Sequence, residues 1–153
     1  MNIFDERIKA FQAQMRLDGL KAYIVPATDP HISEAYAKRF GVMRFYFCSF
    51  KGEDGTLLVT QDASYIYTDG RYWVEAEAEL KGTSCQLVKS GKPGVPSMVQ
   101  FIKDNDLYPL GLDASLFPLY ELRKYYAGDS KKIVSLDYSF LVKDLPDYPS
   151  DKI

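Results

Sequence analysis

The chain has 153 residues and is poor in the side chains that most hydrolytic chemistry needs: one histidine, His31, and two cysteines, Cys48 and Cys85. A single imidazole excludes a metal centre built on several histidines within this chain. A Ser-His-Asp or Cys-His arrangement would have to pass through His31. Cys48 and Cys85 match no metal-binding or redox spacing. Reduced thiols in a cytoplasmic protein are the simplest reading, with pairing left open. No apolar run approaches the ~18 residues of a spanning helix. The first residues, MNIFDERIKAF, mix charges of both signs, so no secretory signal is expected. Net charge is only -2, which supplies no electrostatic reason to expect nucleic acid or a membrane as partner. Internal repeats and low-complexity segments are also missing.

What is present reads as one soluble globular domain: 46% of residues are hydrophobic and 26% charged. Phe4, Ile8, Phe11 and Met15 recur at helical spacing and Gly19 follows as a stop, which predicts a helix from about Asp5 to Leu17. Ala22 to Pro26 is a short apolar run, hence a buried strand. His31 to Arg39 reads as a short helix, and the aromatic run Phe45 to Phe50 as strand-like. Thr56–Thr60 and Ser64–Thr68 flank a three-residue connection and predict a hairpin. A helix over Arg71–Lys81 stops at Gly82. Ser84–Val88 reads as a strand, Pro96–Asp104 as a helix, Leu110–Asp113 as a strand, Leu116–Tyr126 as a helix and Lys132–Asp137 as a last strand. The alternation predicts an α/β domain: a mixed sheet of about six strands with a central antiparallel hairpin and helices on both faces. The domain is expected over residues 1–142, with a proline-containing linker over 143–153.

In such sheets functional groups gather beyond the carboxyl ends of the strands. Two stretches hold that position. In Thr68–Trp73 (TDGRYW), Asp69 can cap the following helix and Gly70 can take a sharp corner. Arg71 then falls in the first turn, where a cation is mildly unfavourable against the helix dipole. Its planar fork suits a carboxylate or a peptide carbonyl. The plain structural use is a salt bridge inside the domain, with Asp29 or Asp69 as partner. Tyr72 and Trp73 can offer a proline-accepting aromatic surface or pack as core. In the second stretch, Asp29 and Pro30 form a good helix start, while nothing near His31 in sequence supplies companion metal ligands. A free-standing anion site at the helix beginning near Arg71 is a further reading.

Taken in register, these pieces resemble the N-terminal domain of Xaa-Pro aminopeptidases (aminopeptidase P) in the creatinase/prolidase group. The resemblance runs through Tyr23 to Pro26, then Asp29, Pro30 and His31 with Ser33 and Glu34. It continues through Phe50, Gly52, Gly55–Thr60 (GTLLVT), Thr68–Trp73 and, more weakly, Gly111–Asp113, covering about Ile3 to Leu141. It implies a non-catalytic domain ahead of a pita-bread catalytic domain that removes an N-terminal residue preceding proline. That catalytic domain binds two divalent metals, commonly Mn(II), through two Asp, two Glu and a His. None of those ligands has a counterpart here, so no cofactor is expected in this chain. The implied partners are the downstream catalytic domain, Xaa-Pro peptides and further copies in a homo-oligomer. Arg71, Asp69, Tyr72, His31 and Asp29 are the implied substrate-side residues, and the domain would shape substrate access and subunit contacts. A peptide- or protein-binding module of the same fold is the alternative. The chain departs from the family where Ser-Gly-Phe-x-Gly-Ser-Ala-Gly-Thr is common: Ser49 replaces a glycine, and Glu53 and Asp54 replace Ser-Ala, leaving a more acidic loop.

Overall fold

The computed structural model describes residues 2–26, 43–52 and 54–143. Helix α1 (Ile3–Asp18) begins where Asn2 accepts a hydrogen bond from the Asp5 N–H, with Asp5 and Glu6 in the first turn. It ends at Gly19 in the left-handed conformation (φ 72°), and the Leu20 N–H returns to the Met15 carbonyl. Its Ile8, Phe11, Gln12 and Met15 form one buried face.

Strands β1 (Ala22–Val25), β2 (Thr56–Thr60), β3 (Ser64–Thr68), β4 (Gln86–Lys89), β5 (Leu110–Leu112) and β6 (Ile133–Ser135) make one six-stranded sheet in the order β4-β3-β2-β1-β5-β6. β2 is antiparallel to both its neighbours, while the β3–β4, β1–β5 and β5–β6 pairs are parallel. The mixed sheet with its central hairpin is therefore as the sequence predicts.

The two-residue side-chain alternation of the strands sorts the core into two clusters, one on each face. Tyr23, Val25, Leu57, Val59 and Ile66 join the cluster that includes α1 and Ala76 of α2 (Trp73–Glu79). Ala22, Ile24, Leu58, Tyr67, Leu110 and Leu112 join the cluster of α3 (Met98–Asp104) and α4 (Leu119–Tyr125). Every residue of β1 is buried, as a strand covered on both faces requires.

Three elements differ from their sequence reading. Residues 43–47 are helical and 48–50 lie in no strand. The aromatic run suggested β-structure, but burial falls on Met43, Arg44, Phe47 and Cys48 while Phe45 is exposed. That is helical spacing, and the Cys48 N–H closes onto the Arg44 carbonyl. The helix expected from Arg71 opens instead as a 3-10 turn over Gly70–Tyr72, with α geometry only from Trp73. The helix expected from Leu116 is divided into a 3-10 turn (Ala114–Leu116) and α4. Pro118 stands between them as the N-cap of α4; its ring fixes φ and removes a backbone donor, so the first turn cannot continue through it. The helix read over 31–39 and most of the linker read over 143–153 lie outside the described residues.

Phe11 meets Tyr23, Phe47 and Tyr138 edge-on, with ring centroids 5.3, 4.9 and 5.3 Å away. Phe11→Ala is expected to destabilise the domain by about 3–5 kcal/mol in urea unfolding, through lost transfer energy and a cavity. Leu17→Ala on the same helix, where the side chain is 81% exposed, should stay within about 0.5 kcal/mol. Equal losses would contradict the assigned face.

Candidate functional site

The strand directions bring the carboxyl ends of β1, β3, β4, β5 and β6 to one edge of the sheet, together with the amino end of β2. The β2–β3 register pairs Thr56 with Tyr67. Continued outward by two places on each strand, it sets Asp54 opposite Asp69. Thr68 fixes that approach by donating its hydroxyl to the Asp54 carbonyl at 2.6 Å.

Asp69 performs two tasks. Its Oδ1 accepts the Arg71 N–H at 3.0 Å, which caps the 3-10 turn. The same carboxylate receives the Arg71 guanidinium in a two-point grip, Nε to Oδ1 at 3.2 Å and Nη2 to Oδ2 at 3.0 Å. Asp54 Oδ2 stands 3.8 Å from Nη2 as a second, looser anion. The Arg71 side chain nonetheless remains 73% exposed. It is oriented by neighbours and open to solvent, so the fork is held in place without being consumed.

The electrostatics follow from this geometry. The Asp69 carboxyl is pulled down to about 2, first by the guanidinium hydrogen bonds, then by the Arg71 N–H and the Asp54 side chain. Asp54 moves the opposite way: partial burial raises it, and the neighbouring Asp69 raises it further against the opposing pull of Arg71. The two carboxyls are thus separated in acidity, with Asp69 the fixed anion of the pair.

The aromatic residues support the corner. Tyr72 lies half-buried with its ring edge-on to Phe50, centroids 5.9 Å apart, and the Arg71 guanidinium carbon is 5.3 Å from the Tyr72 centroid. Trp73 donates its indole N–H to the Thr68 carbonyl at 2.8 Å. Lys89 sits 5.7 Å from the Trp73 ring and pairs with Glu77 at 3.0 Å. Both aromatics are therefore anchored to the sheet edge, and Tyr72 borders the cation directly.

Of the residues singled out in the sequence, Asp69, Arg71 and Tyr72 come together. The partner of Arg71 is Asp69, while Asp29 and His31 lie outside the described residues. Asp54 was missed as a site residue, although the unusual acidity of its loop was its signal. A free anion site at this helix start finds no support, since Asp69 already places its own carboxylate on the Arg71 N–H. Among the described residues no group of three or more His, Cys, Asp or Glu side chains converges as a metal site. Nor does any helix among them have the length and apolarity to cross a membrane.

Comparison with known proteins gives a consistent answer. The creatinase/prolidase N-terminal domain family matches residues 7–142. Aminopeptidase P2 of Arabidopsis thaliana is 37% identical over 133 residues, which cover 83% of this chain and 18% of that protein. Xaa-Pro aminopeptidase 1 of Dictyostelium discoideum is 31% identical over 140 residues, covering 90% of this chain and 21% of that protein. The chain thus spans about a fifth of the length of these relatives. Among solved structures, the X-prolyl aminopeptidase of Caenorhabditis elegans superposes with a TM-score of 0.63 at 26% identity, over 80% of this chain and 21% of its own. That protein is described as a cytosolic enzyme with a di-nuclear active site.

The depressed Asp69 pKa is a direct readout of the grip on Arg71. A carboxyl whose folded value lies below its ordinary one contributes its interaction fully above the ordinary value and loses it as pH falls through the folded one. Carboxyl-detected NMR titration should therefore find the Asp69 midpoint at about 2, rising towards the ordinary aspartate value in Arg71→Ala. A midpoint unmoved by that substitution would contradict the assigned contact.

Proposed function

This chain belongs to the creatinase/prolidase N-terminal domain family, and on that premise we propose that it is the non-catalytic first domain of a dimetal Xaa-Pro aminopeptidase. In this reading a downstream domain supplies the two metals, with Mn(II) the expected ion. It carries out hydrolysis of the bond between a first residue and a following proline. In this reading the chemical steps fall to the downstream domain. The work of the present domain is to wall the substrate entrance and to take part in subunit contacts of a cytoplasmic homo-oligomer.

The observation that carries the proposal is Arg71: a guanidinium gripped by Asp69, flanked by Tyr72 and 73% exposed at the carboxyl edge of the sheet. A cation held in one orientation pays little further ordering cost when it meets a ligand. Arg71 would donate hydrogen bonds to the peptide backbone of an Xaa-Pro substrate, with the Tyr72 ring beside it as an apolar surface for the proline. Asp69 acts through Arg71 as a positioning residue.

In the full-length enzyme, Arg71→Ala is expected to lower kcat/KM on Xaa-Pro peptides on the order of tenfold, the loss of one charge-assisted hydrogen bond. Metal content should be unchanged. Wild-type turnover by this variant would remove Arg71 from the substrate side, and a loss of metal would point to a structural role instead.

A further inference from the structure

Two thiols that share no motif in sequence meet in the fold. Cys48 follows the helical segment 43–47 and is buried, Cys85 lies just ahead of β4 and is half-buried, and their sulfurs are 3.9 Å apart. Beside them lies Arg44, which is wholly buried. Its guanidinium donates to the carbonyls of Phe50 and Gly52, while its Nε has no hydrogen-bond partner. A buried cation needs a countercharge close at hand. Among the described residues, Cys48, Cys85 and Glu79 lie close enough to act on its charge, and Arg44 in turn acts on Asp54.

We propose that Cys48 and Cys85 are a dithiol site that hydrogen peroxide converts into a disulfide within the domain. The sulfurs need to approach by roughly 1.9 Å to reach the bond length of about 2.05 Å. Neither residue sits in a strand, so side-chain rotation and small backbone shifts can supply the movement without breaking the sheet's hydrogen-bond ladder. Cys85 is partly open to solvent, which gives a molecule as small as peroxide a path to the pair.

The attacking sulfur is Cys48. Its pKa falls to about 7, first through the hydrogen bond from Cys85, then through the Phe50 backbone and Arg44, against the opposing effect of burial. Cys85 is driven strongly the other way by Cys48 and by burial, with Asp5 adding to the shift and Ser64 opposing it. One proton is therefore shared, with the charge on Cys48. That thiolate attacks one peroxide oxygen and the O–O bond breaks. Cys48 becomes a sulfenic acid and hydroxide leaves, taking up the proton Cys48 had released to form water. The Cys85 sulfur then attacks the Cys48 sulfur. The S–O bond breaks, and the departing hydroxyl takes the Cys85 proton as a second water. Two thiols and one peroxide give one disulfide and two waters. The product ties the 43–52 segment, with Phe47 and Phe50, to the start of β4. This inference is independent of the peptide-facing role of Arg71.

The test uses the purified chain, treated with a few equivalents of hydrogen peroxide, quenched with catalase, unfolded, alkylated with iodoacetamide and weighed intact. The expected result is a monomer lighter by two hydrogens, carrying no alkyl group, with a raised melting temperature that reductant reverses. Two alkylated cysteines after peroxide, or a disulfide found only between chains, would overturn the proposal. In Cys85→Ser, whose hydroxyl keeps a hydrogen-bond donor beside Cys48 but cannot resolve a sulfenic acid, dimedone should trap a sulfenic acid on Cys48. A wild-type disulfide with no such adduct in the variant would overturn the assignment of Cys48 as the attacking sulfur.

Discussion

The pairing register of β2 against β3 governs both the core and the site. Thr56 faces Tyr67 and Leu57 faces Ile66, which directs Leu57, Val59 and Ile66 to one core and Leu58 and Tyr67 to the other. A slip by one residue would exchange these sets between faces. The cluster holding α1 and α2 and the cluster holding α3 and α4 would both lose their fit. The same register, extended past the strand ends, puts Asp54 next to Asp69. One alignment thus orders the two cores and decides which anions surround Arg71.

From that alignment the site's electrostatics follow in sequence. β3 ends at Thr68, whose carbonyl accepts both the Trp73 indole and the Ser90 N–H. The chain is thereby pinned on either side of the corner. Asp69 then caps the turn and turns its carboxylate to the guanidinium. An arginine at a helix start is disfavoured by the dipole, and the adjacent carboxylate offsets that locally. Arg71 is left charged, oriented and exposed. Orientation by Asp69 together with 73% exposure leaves the guanidinium able to meet a ligand, which is what the substrate-side reading requires.

Much of this was legible in the sequence, for identifiable reasons. The hairpin was readable because apolar alternation and a three-residue connection are local signals. The Asp69 cap was readable because its partner N–H is two residues away. Other features depend on contacts distant in sequence. The run Phe45 to Phe50 reads as strand-like because its aromatic content suggests β-structure, while the helical form of residues 43–47 comes with the burial of Arg44 and Phe47 in a core made by other elements. Asp54 could be placed beside Asp69 only once the register was known. The approach of Cys48 to Cys85 arises from where the 43–50 segment packs against the start of β4, which no spacing rule contains. Tyr72 and Trp73 were open between core and surface, and they divide the roles: Trp73 secures the corner and Tyr72 borders the cation.

The central claim is that the charge of Arg71 acts on substrate. It is tested most directly by chemical rescue of full-length Arg71→Ala. Adding guanidinium or methylguanidinium ion should restore part of kcat/KM on an Xaa-Pro peptide, saturably, while sodium chloride at equal ionic strength should not. A variant that loses activity and recovers none of it with either ion would contradict a substrate-facing Arg71.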